Sequence, residues 1–182
     1  MTIIGYASGM YRQQPVIDPK AYATILQLIG RAESNDNYNA HYGNANNQTV
    51  QFTDMTIAEV LTWQTQFIAQ GQPSSAVGRY QIINTTLAGL VREFEIDTSQ
   101  KFNPVMQDFL AIKLLERRGS LEYATNQLSL EQFAANIAKE WAALPRVIGG
   151  NPNASYYDGD GLNASRTSVS EVMSAIKPIA TN

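Results

Sequence analysis

The chain has 182 residues, 44% of them hydrophobic and 16% charged, which suits one folded domain with a core of its own. Thirteen basic and 16 acidic side chains leave a net charge of −3, which argues against a nucleic-acid binder that relies on bulk positive charge and removes long-range attraction to an anionic polymer. Cysteine is absent and His41 is the single histidine, so disulfides, thiolate nucleophiles and His/Cys zinc sites are excluded; a Ser-His-Asp hydrolase could be built only around His41, and carboxylates are the expected chemical groups for a hydrolase.

Met1 to Met10 has no basic region and no continuous apolar stretch, so no signal peptide is expected. No window approaches the length of apolar chain needed for a transmembrane helix. Residues 1–18 form an N-terminal extension. Asp18-Pro19 then supplies an N-cap and a first-turn proline. Tyr22, Ile25, Leu26 and Ile29 mark one helix face. Continuing that stripe reaches Glu33, so a carboxylate extends the apolar face at the C-terminal end of the helix.

From Ser34 to Asp54 the chain is polar and rich in Asn, with a small strand or hairpin expected near Val50 to Thr53. A polar stretch of this length suggests a functional loop. Thr56-Ile-Ala-Glu59 is a capping box and opens a second helix that ends at Gly71. Leu87, Leu90, Val91 and Phe94 mark a third helix, and Asn103-Pro104 opens a fourth that stops at Gly119. Ser129-Leu-Glu-Gln132 caps a further helix, read through Trp141 and Leu144 to Pro145. After a Gly/Asn/Ser/Tyr-rich loop at 146–167, Ser168 to Glu171 caps the last helix. These elements predict a single domain over 1–182 of the α+β class, predominantly helical. A small β or loop lobe follows the first helix, and a ligand cleft lies between the lobes.

A carboxyl group on an apolar stripe pays desolvation when charged, which raises its pKa and suits a general acid near neutral pH. Glu33 is therefore the first candidate for chemistry; its bland alternatives are a helix-end side chain or an ion pair with Arg31 or Arg79. Asp54 is the candidate second carboxylate, or else an N-terminal partner for the helix beginning near Thr56. Asp158-Gly-Asp160-Gly-Leu-Asn163 starts like a calcium loop but lacks its terminal Glu, so it reads as a turn and no metal site is expected. His41 reads as a surface loop residue, and Trp63 and Trp141 read as core.

Five segments follow one another: Ala32-Glu33-Ser34, Phe52-Thr53-Asp54, Gly78-Arg79-Tyr80-Gln81, Glu116-Arg-Arg-Gly119, and Asn136 through Trp141 to Pro145. Their order resembles the lambda-type phage endolysins of the lysozyme-like superfamily, over about residues 21–176. Glu33-Ser34 with Gly78 to Gln81 is also similar to the Glu-Ser and Gly-x-x-Gln signature of soluble lytic transglycosylases. The chain departs from the lambda pattern in Ser34 where Gly is usual, in its N-terminal extension and in its long 146–167 loop.

The resemblance implies a lysozyme-like fold and a muramidase that cleaves the β-1,4 bond between N-acetylmuramic acid and N-acetylglucosamine. It implies a lytic transglycosylase that uses Glu33 as acid and then base, without cofactor or metal, to leave a 1,6-anhydro sugar. A hydrolytic lysozyme using Glu33 and Asp54 stays open, as does a non-catalytic wall-binding virion or secretion module. Ser34, Gly78, Arg79, Tyr80, Gln81, Tyr156 and Tyr157 are the expected substrate contacts. The implied partner is the peptidoglycan glycan strand, met by a monomer. A protein made in the host cytoplasm would reach the periplasmic wall by holin-dependent release or inside a phage particle.

Overall fold

The computed structural model describes residues 16–159 and 164–180. The start of the N-terminal extension, and Asp160 and Asn163 of the acidic turn, lie outside these residues. Asp18 accepts from the Lys20 amide at 2.9 Å and opens a 3-10 turn, Pro19–Tyr22, which leads into α1, Ala23–Ser34. Asn35 ends α1 in the left-handed conformation, with its amide bonded to Gly30 and Arg31 carbonyls. Glu33 therefore sits in the last turn, where the apolar stripe meets the surface.

α2 (Ile57–Ala69), α6 (Leu130–Ile137) and α7 (Val169–Ile176) each begin with the capping box read from the sequence, on Thr56, Ser129 and Ser168. In each, side chain and backbone satisfy one another's orphan groups. α3 is Asn84–Glu93, and α4 is Pro104–Arg117 behind an Asn103 cap. The five-residue α5, Ser120–Ala124, has no sequence signal of its own and follows Gly119 directly. The core is continuous: Ile25 and Ile29 of α1, Leu110 and Leu114 of α4, Phe133 of α6 and Val172 of α7 are all buried. α1 packs against α7 and α4, and α6 packs against α7.

Two expectations change. Val50 to Thr53 makes no strand; Phe52–Asp54 is a 3-10 turn. The Asn side chains take up the backbone there: Asn39 accepts from the Thr53 amide at 2.9 Å, and Asn47 donates to the Val50 carbonyl at 2.8 Å. Pairing in the small lobe consists of isolated bridges, His41 with Asn44 and Val77, and Val77 with Ile82. Its tie to the next segment is a pair of amide bonds, Tyr42 to the Ala76 carbonyl and Gly78 to the Ala40 carbonyl, each 2.8 Å.

Helix α6 also stops early, at Ile137 rather than near Leu144. Trp141 and Leu144 remain core residues, but in successive turns. The Trp141 amide still donates to the Ile137 carbonyl at 3.2 Å, and its indole Nε1 donates to the Tyr80 carbonyl at 3.2 Å.

Gly78 holds the Gly78 to Gln81 turn against α4. Its φ is +76°, and a Cβ there would overlap the Gln107 carboxamide, which accepts from the Arg79 amide at 2.9 Å. Gly78→Ala should therefore destabilise by about 2–3 kcal/mol, from left-handed strain plus overpacking. Urea unfolding measures this, and an unchanged midpoint would contradict it.

Candidate active site

A cleft of about 720 Å³ runs between the helical body and the small lobe. Tyr42, Gly43, Asn44 and Ala45 line one side, and Gln81, Ile82 and Ile83 continue the lining after the Gly78 turn. Segment 139–142, with Tyr157 and Arg166, lines it too. Glu33 also lines the cleft.

Glu33 is half-buried, and its Oε1 accepts from the Ala143 amide at 3.0 Å. Burial pushes its carboxyl above the ordinary glutamate range; the Ala143 hydrogen bond and the charge of Arg166 pull back in the other direction. The Ala143 amide is free for this contact because α6 has already ended. In a continued helix that N–H would bond the Lys139 carbonyl. Instead the Tyr157 hydroxyl donates to that carbonyl at 2.7 Å. Arg166 closes the arrangement, its amide donating to the Ala143 carbonyl at 2.8 Å and its Nη1 to the Ala32 carbonyl at 3.2 Å.

The wall opposite is held from behind by Arg79. The guanidinium donates to Asp36 at 2.8 and 3.1 Å, to Gln27 at 2.9 Å, and to the Tyr38 and Tyr80 hydroxyls at 3.0 and 2.9 Å. Both hydroxyls donate onward to Asp108 on α4 at 2.8 and 2.7 Å. Burial and the neighbouring Asp108 push the Tyr80 hydroxyl well up, so it stays a neutral donor. Gly30 makes room for this packing, because a Cβ there would overlap Arg79 and Asp36. Ser34 adds a direct strap, donating from Oγ to the Arg79 carbonyl at 2.8 Å.

The expected contact residues thus divide. Glu33, Tyr80, Gln81 and Tyr157 line the cleft. Ser34, Gly78 and Arg79 are buried behind its wall, with their polar atoms committed to protein partners. Tyr156 is exposed beside the cleft, with Lys139 and Arg146 against its ring at 5.8 and 5.5 Å. Asp54 is exposed at the end of its 3-10 turn and lies outside the cleft lining; its backbone carbonyl accepts from Lys101 at 2.6 Å.

Sequence reasoning assigned no role to Glu140, the cleft's other carboxylate. Arg118 holds it with two donors, at 2.8 and 2.6 Å. Both residues fall inside quoted motifs, yet pairing across 22 positions leaves no local pattern. His41 is no simple surface residue either. It lines the cleft and packs on Phe52, Trp63 and Phe67, with ring centroids 5.3–6.4 Å away. Among the described residues no group of three or more His, Asp or Glu side chains gathers as a metal site. Nor is any helix there long and apolar enough to cross a membrane.

A mostly helical body, a small loop lobe and a desolvated carboxyl where a helix end meets the cleft between them make a lysozyme-like architecture. The fold is similar to that of bacteriophage lambda lysozyme, solved in complex with a chitohexasaccharide. The identity is 17% and the TM-score 0.53, over 91% of this chain and 96% of that one. The Endolysin family profile matches residues 23–159, and the chain belongs to that family. No curated protein sequence matches it significantly.

The raised pKa of Glu33 links stability to pH. The unfolded carboxyl ionises first, so the native state loses stability as pH climbs from the ordinary glutamate range to the raised native value. Glu33→Gln keeps the Ala143 acceptor and has no charge to desolvate. Its Tm should match the wild type in acid and exceed it at neutral pH, by about 2–4 °C for each kcal/mol relieved. A gap that closed as pH rose would contradict this sign.

Proposed function

We propose that this chain is a peptidoglycan-cleaving muramidase of the lytic-transglycosylase type, with Glu33 as its catalytic residue. Family membership and fold support glycosidic-bond cleavage in the cell wall. The observation that carries the finer reading is the state of the carboxylates. Glu33 is desolvated and proton-retaining, Glu140 is tied to Arg118, and Asp54 lies outside the cleft lining. A mechanism that needs one free carboxyl fits this cleft better than one that needs two.

In this reading protonated Glu33 gives its proton to the glycosidic oxygen between the sugars as the C1–O bond breaks. The 2-acetamido group of the muramic ring shares the positive charge that develops at C1. The carboxylate formed takes a proton from the C6 hydroxyl of the same ring, whose oxygen then bonds C1. This closes the 1,6-anhydro ring and returns Glu33 to its acid form. The Ala143 amide and Arg166 are suited to hold the anionic interval. Gln81 presents a donor and an acceptor toward an acetamido group, and Tyr157 offers an apolar face to a sugar ring. Ser34, Gly78 and Arg79 act by holding the wall in place.

Muropeptides released from purified walls decide the matter by mass. An anhydro end is lighter by one water than the reducing end left by hydrolysis, and finding only reducing ends would overturn the transglycosylase reading. Glu33→Gln should lose about 10²-fold or more of the turnover while staying folded. Asp54→Asn should keep most of it. Equal losses in the two folded variants would favour a two-carboxylate mechanism.

A further inference from the structure

The ionisable groups lining the cleft do not follow the chain's net charge of −3. Arg118, Lys139 and Arg166 face Glu33 and Glu140 there. Glu140 is neutralised by Arg118, and among the described residues Glu33 forms no ion pair with any of the three cations. Two exposed cations remain, Lys139 and Arg166, and among the described residues neither forms an ion pair with a carboxylate. Their donors are under-used. The closest hydrogen-bond partner of Lys139 Nζ is the Asn136 amide oxygen at 3.4 Å, and Arg166 Nη1 reaches only a backbone carbonyl.

Their backbones are fixed, and Lys139 Nζ lies over the Tyr156 ring at 5.8 Å rather than against a carboxylate. The Lys139 carbonyl is pinned by Tyr157, and Arg166 is tied through its amide to Ala143, whose own amide binds Glu33. Arg166 acts on Glu33, but two exposed cations lining one cleft exceed what a neutral sugar chain requires. On a wall glycan the acidic groups hang from the lactyl arm of muramic acid. They are the carboxylates of an attached peptide or, on a bare strand, the lactyl carboxylate itself.

We infer that Lys139 and Arg166 form an anion-binding lip that receives a carboxylate carried on the lactyl arm of the muramic residue. The lip rests on the muramidase reading and adds register to it. A strand seated with a muramic carboxylate on the lip presents its lactyl-bearing ring, rather than the neighbouring sugar, beside Glu33. Arg118 is not part of the lip, because its charge is spent on Glu140. Of the arginines that could have made a basic patch, Arg79 is buried in its own network and Arg117 pairs with Glu93.

Binding is measured in the Glu33→Gln background with three hexasaccharides: a neutral N-acetylglucosamine hexamer, a wall glycan bearing peptides, and the same glycan stripped of peptides by an amidase. The acidic glycans should bind about 3- to 10-fold tighter than the neutral hexamer at low salt, and the advantage should shrink as salt rises. An advantage held by both acidic probes assigns the lip to the lactyl carboxylate; one held only by the peptide-bearing probe assigns it to the peptide. Lys139→Gln should cut the affinity ratio severalfold, and Lys139→Arg should preserve it. No advantage for either acidic glycan, or a ratio indifferent to Lys139→Gln, would overturn the lip. Wild-type protein that released no muropeptides would instead remove the muramidase reading, so the two failures are distinguishable.

Discussion

Keeping a carboxyl group dry at the open end of a helix is the heaviest demand on this fold. Water would return Glu33 to ordinary acidity, so the protein must cover it and still leave a path for a ligand. The cover comes from a helix that stops short. Because α6 ends at Ile137, one hydrogen bond that a longer helix would have made is divided. Its donor, the Ala143 amide, goes to Glu33, and its acceptor, the Lys139 carbonyl, goes to Tyr157. The interruption joins the acid to the cleft wall and the wall to the loop beyond it. Arg166 then bridges Ala143 to the end of α1, with a positive charge near enough to Glu33 to moderate the effect of burial.

The facing wall depends on a different device. Arg79 gathers the Gly78 turn and the Asn-rich loop by reaching Asp36, Gln27, Tyr38 and Tyr80 at once, with Asp108 of α4 closing the circuit. A buried guanidinium is costly unless its donors are matched, and here partners on several elements match them. Ser34 lies between the two devices. It is the residue after the acid and donates to the Arg79 carbonyl, so it ties the acid-bearing helix directly to the cleft wall. A Gly at position 34 could not make that strap.

Much of this was legible because it is local. Capping boxes on Thr56, Ser129 and Ser168 act within four residues, and each helix start appeared where its box predicted. Glu33 could be singled out because a charged residue breaks an otherwise apolar stripe. What was not legible depends on partners distant in sequence. The apolar spacing of Phe133, Ile137, Trp141 and Leu144 continues the α6 period, but past Ile137 the chain runs in turns, and the Trp141 indole is bonded to the Tyr80 carbonyl, 61 residues away. The extended look of Val50 to Thr53 fails because Asn39 and Asn47 occupy backbone groups that a partner strand would have needed. The same distance conceals charge. Arg118 and Glu140 cancel across 22 positions, and Lys139, just past α6, and Arg166, within the 146–167 loop, line one cleft.

The role of the cleft turns on the protonation state of one group, and titration of the Glu33 carboxyl carbon by ¹³C NMR reads it directly. The expected midpoint lies above the ordinary glutamate range, and above those of the exposed glutamates Glu59 and Glu171, whose capping-box bonds hold them below it. Arg166→Gln should raise the Glu33 midpoint further, because it removes the nearby positive charge. A Glu33 that titrates with the exposed carboxyls would mean that the carboxyl is wet, and would contradict the role assigned to the interrupted helix and to the acid itself.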